Sequence, residues 1–199
     1  MRLANPSSWV GPTLEQAQAD LATGQILLDT PINAPPYGGS PAADAAVAKL
    51  QQAAEKALKA SILALAPGSS DLVFYPHRLL TAASLPTSVR RFRDLMDRIA
   101  RVQQKPGLRA TLEELEGYAP SGPADVEVDE SGLIVALPLN TEYPFLLRGG
   151  APTAPASAWR ERGADVARFA RAVRVLFRVL KGLPELAPYL REYGEPPIR

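Results

Sequence analysis

The segment SPAADAAVAKLQQAAEKALKASILALAP, residues 40–67, decides the fold because it contains the clearest long helix in the N-terminal half of the chain. Ser40 suits a helix N-cap, Pro41 suits the first turn, and Pro67 before a glycine ends the helix. Its apolar side chains recur at helical spacing along one face: Val47, Leu50, Ala54, Leu58, Ile62 and Leu65. The many alanines allow a second helix to approach closely. We therefore predict a helical core that includes this segment.

Helix signals also occur on both sides of this segment. A short helix is predicted over 12–22, where Gly24 supplies a stop. Further helices are predicted from their apolar spacing and boundary residues over 86–105, 108–118, 157–181 and 184–193, with a short helical turn over 77–83. The helix over 157–181 has the strongest pattern, and Gly182 is its stop.

The acidic middle of the chain contains the convincing β signal. Acidic residues and valines alternate up to position 129, residues 129–132 suit a turn, and 133–137 returns as an apolar run. Because a lone strand pair is only marginally stable, we expect it to pack on the helices, to extend a sheet with 25–29 or 72–75, or to pair with another chain. The predicted fold class is mainly α with a small β-hairpin or small antiparallel sheet (α+β), with a helical core and extended Pro-rich arms.

Proline and glycine suggest where the chain divides. Residues 1–40 are predicted to form a short helix followed by an extended arm, because the second half of this region is rich in both. A helical core with the hairpin is predicted over 41–148. The stretch GGAPTAPASA, residues 149–158, has the composition of a linker, and 159–199 is predicted to be a C-terminal helical module.

The composition excludes several classes of protein. With no cysteine among 199 residues, the chain has no disulfide, Cys-ligated zinc, iron–sulfur cluster or thiol nucleophile. Residues 1–16 lack the apolar core of a signal peptide, and no run reaches the roughly 18 apolar residues of a membrane span. We predict a cytoplasmic or virion protein that does not span a membrane.

Charge is distributed in blocks, although the net charge is only +1. Residues 86–105 carry six basic and two acidic side chains, 106–156 carry two and eight, and 157–199 carry nine and five. Two basic blocks therefore flank an acidic one. We expect these blocks to attract each other, either within the fold or between copies of the chain.

Few residues are candidates for catalysis or metal binding. His77 is the single histidine and would act as a general base if a carboxylate oriented it, but no serine or lysine nucleophile motif accompanies it. Asp125, Glu127 and Asp129 are spaced to share one strand face, which either binds Mg²⁺ or Ca²⁺ or is simply solvated. The absence of a Gly-Lys dipeptide excludes a G-x-x-x-x-G-K phosphate loop. We predict no catalytic residue, no cofactor and no metal.

Basic residues on two predicted helices are the main candidates for contact with a partner. In 86–105, arginines and aspartates alternate at four-residue spacing and are expected to pair with each other. In 157–181 the later basic residues lack such acids and form a stripe that would hold phosphates, anionic lipid or an acidic protein surface. The predicted partner-binding residues are Arg171, Arg174, Arg178 and Lys181, with Arg160 roughly in line. Alternatively, these side chains cover core aromatics or pair with the acidic middle.

Three classes of function remain after these exclusions. The sequence favours a non-enzymatic structural or assembly component of a large complex, such as a capsid, connector or tail protein of a phage or virus. Its partners would be other protein subunits, in a homo- or hetero-oligomer. The alternative is a nucleic-acid-binding or regulatory protein that uses the basic C-terminal helix. An enzyme would instead need a pocket around His77 or the acids at 125–129.

Overall fold

The structure is a computed structural model that describes residues 5–29, 42–74, 90–103, 106–119, 126–136, 139, 141, 148, 150, 154–160 and 162–190. The chain is mainly helical, with one two-stranded antiparallel sheet in the described part, which confirms the predicted fold class. The helices are α1 Val10–Asp29, α2 Ala43–Leu65, α3 Arg90–Arg101, α4 Leu108–Gly117, α5 Pro155–Arg160, α6 Gly163–Lys181 and α7 Ala187–Leu190. The strands are β1 Glu127–Val128 and β2 Ile134–Ala136, and 3₁₀ helices span Pro6–Trp9 and Pro67–Phe74.

Helix α2 is the centre of the fold. It contacts α1, α3, α4, α5 and α6. Six of its buried residues are alanines, whose small side chains let neighbouring backbones approach closely. Leu50 and Ile62 are completely buried between these alanines and supply the larger apolar surface. Burial of such side chains is the main stabilising contribution to a helical core of this kind.

The first helix is longer than predicted. It continues through Gly24 to Asp29, so the predicted stop and the predicted strand partner at 25–29 are both wrong. Gly24 is buried against α2, and a Cβ atom built on it would lie 3.2 Å from the Leu50 side chain and 3.3 Å from the Ala46 carbonyl oxygen. The glycine therefore provides close approach of two helices, and the resulting tertiary packing outweighs its low helix propensity.

A buried carboxylate joins α1 to α2. The Asp20 side chain is 3% exposed and accepts hydrogen bonds from the ammonium groups of Lys49 and Lys56, the first at 3.2 Å. Gln16 donates a weaker bond to the same carboxylate at 3.4 Å. The lysine side chains are about one-third exposed, at 36% and 30%, so their charges stay partly hydrated while the carboxylate is satisfied.

The helix predicted over 157–181 is two helices. Helix α5 starts at Pro155, inside the range predicted as a linker, and α6 starts at Gly163 after a non-helical residue, Arg162. Trp159 in α5 is fully buried, and α6 packs on α1, α2 and α4. The C-terminal helices therefore share one hydrophobic core with the N-terminal ones. The division into modules at 149–158 stays a prediction.

Two further predictions differ from the structure in local detail. Residues 72–74, predicted as possible strand, belong to the 3₁₀ helix Pro67–Phe74. The last helix begins at Ala187 and not at Pro184, and residues 191–193 of the predicted range lie outside the described residues. The proline-rich part of the arm at 30–40 and the helical turn at 77–83 lie outside the described residues.

Candidate interaction surfaces

The outer face of α6 carries three arginines with no acidic partner in the described part of the chain. Arg171 and Arg178 are exposed and Arg174 is half-buried. They lie at positions i, i+3 and i+7, so they follow one face of the helix. We call Arg171, Arg174 and Arg178 the basic stripe. Lys181 is exposed one turn further along α6.

The remaining predicted member of this surface lies on another helix. Arg160 is the last residue of α5, and the break before Gly163 separates it from α6. The single helix that the Arg160 prediction assumed is two helices, and the place of Arg160 beside the stripe stays a prediction. Its side chain lies outside the described part of the structure.

The first turns of α6 are held by an ion-pair network, which explains why the stripe begins only at Arg171. Arg168 donates two hydrogen bonds to the Glu114 carboxylate, at 2.7 and 2.8 Å, and a third to Asp165 at 2.9 Å. The Arg168 bonds hold the pKa of Glu114 below its ordinary value of 4.5, against the opposing effect of burial. The Glu114 bonds in turn raise the pKa of Arg168 above its usual range. This bidentate pair orients α6 on α4.

We expect this network to make the fold sensitive to acid. Because the pKa of Glu114 is lowered on folding, its contribution is fully present above pH 4.5 and is lost as the pH falls through the folded-state value. Glu114 is 38% exposed, so solvent screening limits the contribution to about 1 kcal/mol. Urea unfolding of the wild type and of Glu114→Gln is expected to differ near neutral pH and to converge in acid. Parallel pH profiles of the two proteins would contradict this assignment.

The arginines of α3 do not pair with the aspartates of the same helix, contrary to prediction. Among the described residues, the ion pair of this helix joins Arg91 to Glu185, beside α7, at 3.1 Å. Asp94 and Asp97 are exposed and form no ion pair there. The aspartate side chain is short and such exposed pairs are weak, so helical spacing alone does not hold them together.

The hairpin has a tightly organised turn. Asp129 Oδ1 accepts hydrogen bonds from the Ser131 hydroxyl at 2.7 Å, the Ser131 amide at 2.9 Å and the Leu133 amide at 3.0 Å. The Ser131 hydroxyl in particular lowers the pKa of Asp129. Gly132 has a φ of +82°, which glycine adopts without strain. Asp129 therefore fixes the turn.

The residues considered for catalysis or metal binding do not form an assembled site in the described part of the chain. Glu127 is exposed and lies 3.3 Å from Arg148, whereas Asp125 and His77 are outside the described residues. No three histidine or acidic side chains that the structure describes lie close enough to hold a metal ion. None of the described helices combines the length and the apolarity needed to cross a membrane.

The chain was compared with protein-family models, curated proteins and solved structures. None of them matches it. The candidate surfaces therefore have to be judged from their own geometry.

The hairpin exposes apolar side chains that the sequence analysis did not predict to be exposed. Val128, Leu133 and Ile134 are 56%, 67% and 53% exposed, and Val128 pairs with Ile134 across the ribbon. Neither strand makes an extensive contact with any described helix. Of the arrangements predicted for the strand pair, extension by 25–29 or by 72–74 is wrong, because those residues are helical. The signal in the sequence was the unbroken apolar run that begins next to the turn.

Proposed function

We propose that this protein is a non-enzymatic subunit of a larger assembly and that it contacts neighbouring subunits through its hairpin. The observation that carries the proposal is the exposure of three large apolar side chains, Val128, Leu133 and Ile134, on a strand pair that no described helix contacts extensively. A two-stranded hairpin is marginally stable by itself, and burial of its apolar side chains by a partner would stabilise it.

The charge distribution supports the same proposal. The hairpin is acidic, whereas the basic stripe on α6 has no acidic partner in the described chain. Two surfaces of opposite charge that do not pair with each other within one chain favour contacts between chains. The more specific assignment to a virus or phage particle, with location in the virion or the cytoplasm, stays a prediction.

Nucleic-acid binding is the second candidate, and the basic stripe is the observation that favours it. Three arginines on one face would contact successive phosphates, and binding would weaken steeply with salt. The net charge of +1 argues for a protein partner instead, because nucleic-acid-binding domains usually carry a marked basic excess.

The proposal is tested by the size of the protein in a native extract of cells that produce it. The wild-type chain is expected to elute from a sizing column well above its own mass of 21.3 kDa. The triple variant Val128→Thr, Leu133→Ser, Ile134→Thr is expected to shift toward the monomer position, because it removes the apolar contact surface. Its far-UV circular dichroism should match that of the wild type, since these side chains are already exposed.

A matched control removes an exposed apolar side chain elsewhere on the surface. Trp9→Ser changes a residue that is 53% exposed in the first 3₁₀ helix and should leave the elution position unchanged. If the wild-type protein elutes at the monomer position in native extracts, the assembly proposal is wrong.

A further inference from the structure

The exposed hairpin, residues 127–136, combines the two chemical features that a complementary surface would have to match. Its cross-strand pair Val128 and Ile134 and the neighbouring Leu133 are apolar and exposed. Glu127, Asp129 and Glu130 place three carboxylates around them, all exposed, with no basic residue in the described hairpin. A partner surface would therefore need apolar contact area bordered by positive charge.

The basic stripe of α6 has this composition. From Val166 to its last residue α6 has no carboxylate. Val175 lies four residues after Arg171 and three before Arg178, so it occupies the same helix face, where it is half-buried. The stripe thus offers an apolar side chain bordered by three arginines.

The basic face of α3 is a poorer match to the hairpin. Asp94 and Asp97 are exposed among its arginines and would repel the hairpin carboxylates. Arg91 of that helix is already engaged with Glu185. The hairpin and the basic stripe are therefore the better-matched pair of surfaces in the described chain.

We propose that the exposed hairpin of one copy of this chain docks on the basic stripe of α6 in a second copy. The inference rests on the proposed assembly function and names its partner. Within one chain the two surfaces do not satisfy each other: Glu127 lies near Arg148, and no described carboxylate pairs with the three stripe arginines. Because the two surfaces differ, the contact is head-to-tail, and repetition produces a ring or an open filament.

The test uses the purified 199-residue chain in analytical ultracentrifugation. The wild type is expected to self-associate at low salt and to dissociate as added salt screens the charges. Two charge-reversed variants are each expected to weaken self-association at least about tenfold, because like charges then face each other. The hairpin-reversed variant carries Glu127→Lys and Glu130→Lys, and it keeps Asp129 because that residue fixes the turn. The stripe-reversed variant carries Arg171→Glu and Arg174→Glu.

Mixing the two reversed variants separates a specific contact from a folding defect. In the mixture each reversed surface meets its complement on the other variant, so self-association is expected to return, although neither variant associates alone. The control variant Arg90→Glu, Arg93→Glu has the same net charge as the stripe-reversed one but is changed on α3. It should self-associate like the wild type, and in a mixture with the hairpin-reversed variant it should take up that variant only as a terminal subunit, through the variant's unchanged stripe.

Several outcomes would overturn the inference. A wild-type chain that stays at 21.3 kDa at low salt and high concentration has no such contact. Self-association that the reversed variants leave unchanged uses another surface. Tight binding of an oligonucleotide that the stripe-reversed variant loses and the α3 control keeps would assign the stripe to nucleic acid. If the purified chain is monomeric but large in native extracts, this inference fails while the proposed function stands.

Discussion

Replacement of Trp159 by alanine is expected to lower the free energy of unfolding by about 4 kcal/mol. The indole is completely buried in α5, its ring meets Tyr118 edge-on at a centroid distance of 4.7 Å, and Phe169 lies 6.3 Å away. The substitution would leave a cavity where α2, α4, α5 and α6 share the core. Urea unfolding followed by far-UV circular dichroism measures the loss.

The chain contains its own control for this experiment. Trp9 is the other tryptophan and is 53% exposed, so Trp9→Ala is expected to change stability by no more than about 0.5 kcal/mol. Each variant keeps a single tryptophan, and its fluorescence therefore reports one environment. Suppose that Trp159→Ala lowers the urea concentration at which the C-terminal helices unfold but not that at which the other helices unfold. The shared core then does not unfold as one unit.

The second large effect is expected at Gly24, where valine should destabilise the protein by about 2 kcal/mol. A Cβ atom built on Gly24 would lie 3.2 Å from the Leu50 side chain and 3.3 Å from the Ala46 carbonyl oxygen, and valine adds two further carbons. The backbone oxygen cannot move aside without disturbing α2. Chemical unfolding at equilibrium measures the difference.

Gly117 provides the matched substitution for this prediction. It ends α4, and a Cβ atom built on it meets nothing within 4 Å. Gly117→Val is therefore expected to stay within about 0.5 kcal/mol of the wild type. Equal losses of unfolding free energy at the two positions would show that the low helix propensity of valine, and not the close approach of α1 and α2, determines the result.

The same glycine shows where sequence reasoning ends. Apolar spacing predicted α2 and the large side chains of its buried face, because large apolar side chains at helical intervals need a core wherever the helix is placed. Gly24 has two possible meanings, a helix stop or a close contact, and only the position of α2 decides between them. The break between α5 and α6 was missed for a similar reason, since the spacing of Trp159 and Val166 fits one continuous helix.

The residues of the candidate surfaces could be predicted from the sequence, but their positions relative to the rest of the fold could not. The basic stripe follows from helical spacing alone, so Arg171, Arg174 and Arg178 were identified in advance. That they have no acidic partner in the described chain depends on where the acidic segments lie, and that is a tertiary property. The exposure of Leu133 and Ile134 also depends on the tertiary structure. It could not be predicted, because an apolar run normally indicates burial.

Asp20 has a consequence for how uniquely α1 sits on α2. Many of the buried residues of α2 are alanines, which by themselves resist little a slide of one turn, about 5 Å, along the helix. Lys49 and Lys56 lie two turns apart on α2 and both bind the one carboxylate. A slide in either direction would draw Asp20 away from one of them and leave a buried charge poorly compensated. We infer that this residue, together with the close approach at Gly24, selects a single alignment of α1 on α2.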